Sequence, residues 1–242
     1  MQKFCIAILE NPIVDIIIPA LNEEKSIRQV IESLPKCYRK IIVCNNGSTD
    51  RTMEIATQAG AIVVNEPIKG YGIACKKGLQ YLDTEELKPD IIVFLDADFS
   101  DYPEEIIKIL YPIYFEDMDL VIGNRLTSNR LKGSMTFPQI FGNWLSTKLI
   151  KLFWGYNFSD LGPFRAIRYN KLLSLDMQDD NYGWTVEMQL KAAKNKLKCC
   201  EVPVNYRPRI GVSKVSGTIK GTILAGYKIL WVIFKYGLIK TN

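Results

Sequence analysis

The chain has 242 residues and a mass of 27.6 kDa, and with 48% hydrophobic residues it can bury the core of one large domain or two small ones. Its 31 Lys and Arg against 26 Asp and Glu leave a net charge of +5, which suits phosphates or an anionic membrane surface and is too small for a protein that coats nucleic acid. There is no histidine, which excludes imidazole as base or metal ligand, and the six cysteines lack CxxC spacing, which argues against a zinc site or disulfide framework and for a reducing cytoplasm.

The first residues, Met1 to Asn11, set a short apolar run between Lys3 and Glu10 and do not resemble a complete signal peptide. Apolar bursts of strand length then alternate with segments of helical period. Strands are predicted at Val14–Pro19, Ile41–Cys44, Ala61–Val64, Ile91–Leu95 and Asp119–Ile122, and helices at Glu23–Leu34, Asp50–Ala59, Tyr71–Leu82 and Pro103–Tyr114. This alternation predicts a largely parallel sheet covered by helices on both faces. Beyond Ile122 the rhythm breaks into a polar loop over Leu126–Thr136, an aromatic-rich helix over Phe141–Trp154 and the loop Asp160–Arg165. A helix at Trp184–Ala193, a strand at Cys200–Tyr206, a basic loop at Arg207–Lys214 and a last helix from Thr218 follow. With no repeat, low-complexity tract or linker, the reading is one domain over residues 1–242 with a C-terminal helix at 217–242. Lys220, Lys228 and Lys235 break that apolar segment into runs well short of the roughly 18 residues a membrane span needs.

Parallel sheets bind ligands beyond the carboxyl ends of their strands. The polar loops after the first, second and fourth predicted strands, Pro19–Glu24, Asn45–Asp50 and Asp96–Asp98, are therefore expected at one rim. Residues two apart in extended chain point the same way, so Asp96 and Asp98 can aim both carboxylates past the sheet edge. Two such carboxylates repel unless a proton or cation lies between them, and a hard divalent ion, Mg²⁺ or Mn²⁺, takes oxygen ligands and substrate phosphates. A bland alternative is open for each loop: two solvated acids at a strand end, an N-cap by Thr49 or Asp50, and acids in the first turn of a helix at Asn22–Glu24.

In order, the motifs Ile18–Glu23, Asn46–Thr52, Asp96-Ala97-Asp98 and Gly123-Asn124-Arg125 resemble glycosyltransferase family 2, whose members have the Rossmann-like GT-A fold. Asp160–Ala166, Trp184–Met188 and Arg209–Lys214 are similar to its dolichol-phosphate mannose and glucose synthase branch. The resemblance implies that residues 1–125 hold a nucleotide sugar and 126–216 the acceptor. Pro19, Asn22 and Glu23 would line the nucleotide pocket, Asn45 would meet the base, and Lys69 would close over it. Asp96 and Asp98 would hold the metal on the donor diphosphate. The family's glutamine two residues after this pair is Ser100 here, so Asp101 or a water is the expected third ligand. Arg207, Arg209, Ser213 and Lys214 would clamp the diphosphate, in a loop about one residue shorter than the usual pattern. Arg125, with Lys148, Asp160 and Arg165, would face the acceptor phosphate.

Where the family has aspartate, this chain has Asn45. A carboxylate can accept both N–H groups of guanine, whereas a carboxamide accepts one hydrogen bond and donates one, which matches uracil. A UDP-sugar is favoured on that ground, with GDP-mannose as the alternative. An acceptor phosphate needs little help from a base; a hydroxyl acceptor would need one, and Asp160 or Glu187 are the candidates, although Glu187, in a helix pattern, reads rather as a buried hydrogen-bonding partner than as a base. The lysines of the last helix share one arc while Ile219, Ile223, Leu224, Ile229, Leu230, Trp231, Ile233 and Phe234 fill much of the rest. Such an amphipathic helix can lie in a membrane interface or pack on the core, and Phe141, Trp144, Phe153 and Trp154 beside Lys148 and Lys151 offer a second interfacial patch. The expectation is an inverting hexosyltransferase using polyprenyl phosphate, peripheral at the cytoplasmic face of the membrane. A saccharide hydroxyl acceptor and a non-catalytic binding module are the alternatives. A nucleotidyltransferase is disfavoured because Pro19–Glu24 carries no glycine.

Overall fold

A computed structural model describes residues 12–126, 130–211, 213 and 219–238. Lys214 and the side chain of Lys220 lie outside the described residues. The apolar runs form strands β1 (Val14–Ala20), β2 (Lys40–Asn45), β3 (Ile62–Asn65), β4 (Ile91–Phe94), β5 (Leu120–Asn124), β6 (Arg165–Arg168) and β7 (Cys199–Pro203). They make one seven-stranded sheet in the order β3-β2-β1-β4-β6-β5-β7. All neighbours are parallel except at β6, which runs against both β4 and β5.

The strands alternate their side chains between two cores, as period-two geometry requires. Ile16 and Ile18 face helices α1 (Ile27–Glu32), α2 (Thr52–Gln58) and α4 (Ile106–Phe115). Ile17 points the other way, with α3 (Tyr71–Asp83), α5 (Phe137–Trp154), α6 (Tyr169–Ser174), α7 (Trp184–Lys194) and α8 (Ile219–Leu238). The expected α/β architecture with helices on both faces is therefore present. Strand β4 is apolar at every position because both of its faces are covered, and Ile91, Ile92 and Val93 are fully buried.

Two differences from the sequence reading have physical causes. Strand β6 was not expected: its four residues, Arg-Ala-Ile-Arg, show neither an apolar run nor clean alternation, and Arg165 is nonetheless fully buried. Helix α5 starts at Phe137 and not Phe141, because Thr136 and Gln139 close a capping box around Pro138; Gly155, at φ 71°, ends it. Helix α8 packs on the core with one face and leaves apolar side chains exposed on another. Val232 and Ile233 are buried in the second core, whereas Ile223, Leu224, Tyr227, Trp231 and Phe234 are exposed. No helix among the described residues is long and apolar enough to cross a membrane.

Candidate functional site

Strands β1, β2 and β4 are parallel and in register, with Ala20 opposite Asn45 and Ile17 opposite Phe94, so their three following loops leave from one edge. The loops are stitched together. Ser48 Oγ accepts from the Asn22 amide at 3.0 Å, Asn22 Oδ1 accepts from the Thr49 amide at 2.8 Å, and Thr52 Oγ1 accepts from the Glu23 amide at 2.8 Å. Asp50 also accepts from the Thr52 amide at 3.0 Å, but the N-cap position is Arg51, without a side-chain cap, so neither Thr49 nor Asp50 is the N-cap that the sequence suggested.

Asp96 and Asp98 sit beyond β4 and line the resulting cleft. Burial first, and the Asp98 charge second, push the Asp96 carboxyl up to about 7, while the Tyr71 hydroxyl, which donates to Asp96 Oδ1 at 3.0 Å, works in the other direction. Ser100, in the place of the family's glutamine, donates to Asp98 Oδ1 from its amide at 2.9 Å and its hydroxyl at 2.5 Å. It therefore orients Asp98. Between them Phe99 takes a left-handed φ of 63°, a strained turn held by Arg207, whose guanidinium stacks 3.4 Å from the Phe99 ring centre and donates to Phe99 O at 2.7 Å. Asp101 is buried, and neither carboxylate oxygen has a hydrogen-bond partner among the described residues; burial and the Asp96 charge hold it well above the ordinary carboxylate range.

This donor set fits a hard divalent cation: hard oxygen ligands, mutual repulsion that a cation would relieve, and an orphaned buried carboxylate nearby. However, no three His, Cys, Asp or Glu side chains among the described residues converge as a metal cage. The expected trio of Asp96, Asp98 and Asp101 is thus not assembled as a ligand set. Phosphate oxygens and water are the natural completion of such a two-carboxylate site.

Two cavities, each of about 510 Å³, meet at this pair. The first is lined by Pro19, Asn22, Glu23, Lys69, Tyr71 and Arg209, among others. Its wall includes Asn46, not Asn45. Asn45 is 2% exposed and its amide nitrogen donates to Asn65 Oδ1 at 2.7 Å, because the alternation of β2 turns it away. Asn46 clasps the Lys69 loop, donating to Ile68 O at 2.6 Å and accepting from the Gly70 amide at 2.7 Å. Asn181 and Tyr182 complete the wall from a distant loop that carried no recognisable sequence signal. Tyr71 opens the helix expected at Tyr71–Leu82, and no local pattern marks its bond to Asp96.

The second cavity runs between the start of α5 and the start of α8, past Arg125, Ser213, Tyr206 and Thr185. Arg125 is held by Asp160, which accepts at 2.9 Å from Nε and 2.7 Å from Nη2. Burial disfavours the Arg125 charge, but Asp160 outweighs it and holds the guanidinium well above its ordinary value. Asp160 is fully buried and committed to this pair, which removes it as a free base. Arg165 is also fully buried, donating to the carbonyls of Leu161, Gly162 and Thr185, and burial pulls it down to about 10; it braces the loop behind the cavity. Lys148 is exposed on α5 and lines neither cavity.

Glu187 is not brought to the cleft. It is 1% exposed and accepts from the Gln178 and Asp179 amides, Tyr236 Oη at 2.9 Å and Lys191 at 2.8 Å. Burial pushes its carboxyl up, but Lys191 and the other donors prevail and hold it below the ordinary range. It ties α7 to α8. Its role as a base is thereby replaced by the buried-partner reading. Arg207 supports the carboxylate loop, also donating to Asp101 O at 3.1 Å, and only Arg209 of the two reaches the cleft. The cysteines among the described residues are free thiols, and burial pushes Cys199 up to about 12.

Comparisons with known proteins bear on the family and the fold. The chain is 30% identical over 206 residues to the dolichyl-phosphate hexose transferase of Haloferax volcanii, covering 83% of this chain and 85% of that one. It is 28% identical over 246 residues to the UDP-N-acetylglucosamine–dolichyl-phosphate N-acetylglucosaminyltransferase of Methanococcus voltae, covering 92% and 95%. Glucosyl-3-phosphoglycerate synthase from Mycobacterium tuberculosis, solved with Mn²⁺, UDP and phosphoglyceric acid, superposes with a TM-score of 0.78 at 20% identity, over 100% of this chain and 84% of that one. The fold is the GT-A fold. The model of the family described as glycosyl transferase family 2 matches residues 15–174, and the chain belongs to that family of glycosyltransferases.

Proposed function

We propose that the protein transfers a hexose from a UDP-sugar to a polyprenyl phosphate such as dolichyl phosphate, with Mg²⁺ or Mn²⁺, at a membrane surface. The observation that carries the reading is the meeting of two cavities at Asp96 and Asp98, the second running between helices whose outer faces are apolar. Phe137 is 79% and Leu152 75% exposed on α5, with Phe141 and Trp144 beside them, and α8 adds Ile223, Leu224, Tyr227 and Trp231. Lysines 148 and 151 are exposed on α5, and Lys228 and Lys235 flank the Trp231 ring at 4.8 and 5.0 Å. Aromatic side chains among lysines suit the headgroup region of an anionic bilayer. The relatives named for dolichyl phosphate, one of them also for a UDP-sugar, and the UDP bound by the structural neighbour support the acceptor and donor classes.

In this reading residues 12–125 hold the donor, with Asn46 and Lys69 toward the nucleoside. Asp96 and Asp98 hold the cation, which when bound withdraws charge from the donor diphosphate. An acceptor phosphate oxygen attacks the anomeric carbon, the bond from that carbon to the diphosphate oxygen breaks, and the electron pair leaves on UDP, with inversion. Arg125, kept charged and in place by Asp160, attracts the acceptor phosphate, and Arg209 receives charge developing on the leaving diphosphate. The acceptor is already an anion, so the removal of Asp160 and Glu187 as bases costs the mechanism nothing. The test is release of UDP or GDP from a panel of nucleotide sugars with Mn²⁺, with and without polyprenyl phosphate in vesicles. Tighter GDP binding would reverse the donor assignment, and full turnover on a water-soluble hydroxyl acceptor without lipid would reject the acceptor.

A further inference from the structure

Among the described residues, three are common to the walls of both cavities: Asp96, Asp98 and Arg209. Arg209 joins the carboxylate edge to the opposite loop, with Nη1 3.1 Å from Asp98 Oδ2 and Nη2 2.5 Å from Glu23 Oε1, while its buried Nε has no hydrogen-bond partner among the described residues. Its side chain is 26% exposed, so it is reachable from the cleft. The backbone on either side is pinned: the Arg207 amide donates to Ser100 O and the Ile210 amide to Asp98 O, both at 3.0 Å. Arg207 is fixed as well by its stack on Phe99 and Tyr102. The guanidinium can therefore change partners by side-chain rotation, with its root held against the carboxylate loop.

A guanidinium on Asp98 takes up the same negative charge that a divalent cation would use. Two cations cannot share that carboxylate without strong mutual repulsion at low dielectric. A diphosphate offers the guanidinium a fork of oxygens at least as good as the one it leaves, since Arg binds phosphate in bidentate fashion. We infer that Arg209 is a place-holding cation and positioning residue: it occupies Asp98 until the donor diphosphate arrives, then moves onto the phosphates, which frees Asp98 for the metal and removes part of the wall between the cavities. Metal entry is thereby made dependent on the nucleotide. This rests on the donor-site reading above.

The experiment is titration of Mn²⁺ into the full-length protein at one fixed pH, followed by electron paramagnetic resonance of the free ion, with and without UDP. Wild type is expected to bind Mn²⁺ alone weakly and much more tightly with UDP. Arg209→Met should bind Mn²⁺ alone at least about tenfold more tightly than wild type, the scale of one lost charge-assisted hydrogen bond, and should gain less from UDP by the same coupling factor. Arg209→Lys keeps the charge but cannot bridge Glu23 and Asp98 together, and should fall between the two. Thermal melting checks that each variant is folded; if Arg209→Met is not, the lysine variant carries the comparison. Unchanged Mn²⁺ affinity in a folded Arg209→Met, or a lysine variant indistinguishable from wild type, overturns the inference and leaves the donor site standing. Absence of Mn²⁺ binding by wild type even with UDP overturns both.

Discussion

Replacing Gly72 by alanine puts two well-known effects in opposition, and the structure decides the sign. Gly72 is in the first turn of α3, where alanine would ordinarily stabilise by up to about 1 kcal/mol. A Cβ at this position, however, would lie 2.0 Å from the Asp179 carbonyl oxygen and 2.9 Å from two backbone carbons of residues 179 and 180. Relief to an ordinary contact requires a shift of more than about 1 Å. The 179–180 backbone resists it, because the Asp179 amide donates to Glu187 at 2.7 Å, Asp179 Oδ1 accepts from Asn181 and Gly183, and Lys228 pairs with Asp179 at 2.9 Å. Overpacking of about 1–3 kcal/mol, together with about 1 kcal/mol if the Ile73 amide loses Asp180 O, outweighs the helix gain. The expected net loss is about 1–3 kcal/mol, read as a lower urea midpoint at unchanged slope. UDP affinity should fall too, since the displaced turn carries Lys69 and the Tyr71 hydroxyl that holds Asp96. Gly142→Ala is the control: among the described residues nothing lies within 4 Å of its added Cβ, so stability should be unchanged or slightly raised. A Gly72→Ala protein as stable as wild type would refute the packing argument.

Glu187→Gln should lower stability near neutral pH by about 2–3 kcal/mol, because Lys191 and two backbone amides lose a buried carboxylate. The folded carboxyl titrates below its usual value, so its contribution is complete above the unfolded value and disappears as pH falls through the folded one; thermal melts of the two proteins should converge in acid. Lost turnover at full stability would restore a role in the chemistry. Mn²⁺ affinity in the presence of UDP should rise with pH and level off above about 7, because the proton held by Asp96 competes with the cation below that value; a flat profile from pH about 5 to 8 would contradict it. Phe141→Ser with Trp144→Ser, both exposed, should leave the melting temperature unchanged and reduce sedimentation with anionic vesicles several-fold. Removing the whole of residues 217–242 is a poorer test, since it would uncover the core around Val232 and Ile233.

Much of the architecture was legible in the residues alone, for local reasons. An all-apolar β4 can exist only where both faces are covered, so Ile91–Leu95 announced a central strand, and the two acids that follow marked its end at the edge of the sheet. Tertiary structure decided what depends on contacts across the chain. Strand β6 exists because β4 and β5 both need a neighbour, and Arg165 is buried in it with its guanidinium on two carbonyls of the loop just before it, Leu161 and Gly162, and on one from a distant segment, Thr185. The one-residue turn of β2 put Asn46 and not Asn45 on the cleft, a choice that depends on strand register. Asp160 and Glu187 looked like possible bases because their charge could be read, but their partners could not. The pairing of Arg209 with Glu23 spans 186 residues of sequence, a distance over which no local pattern carries information; only the folded sheet edge brings that guanidinium to the carboxylates.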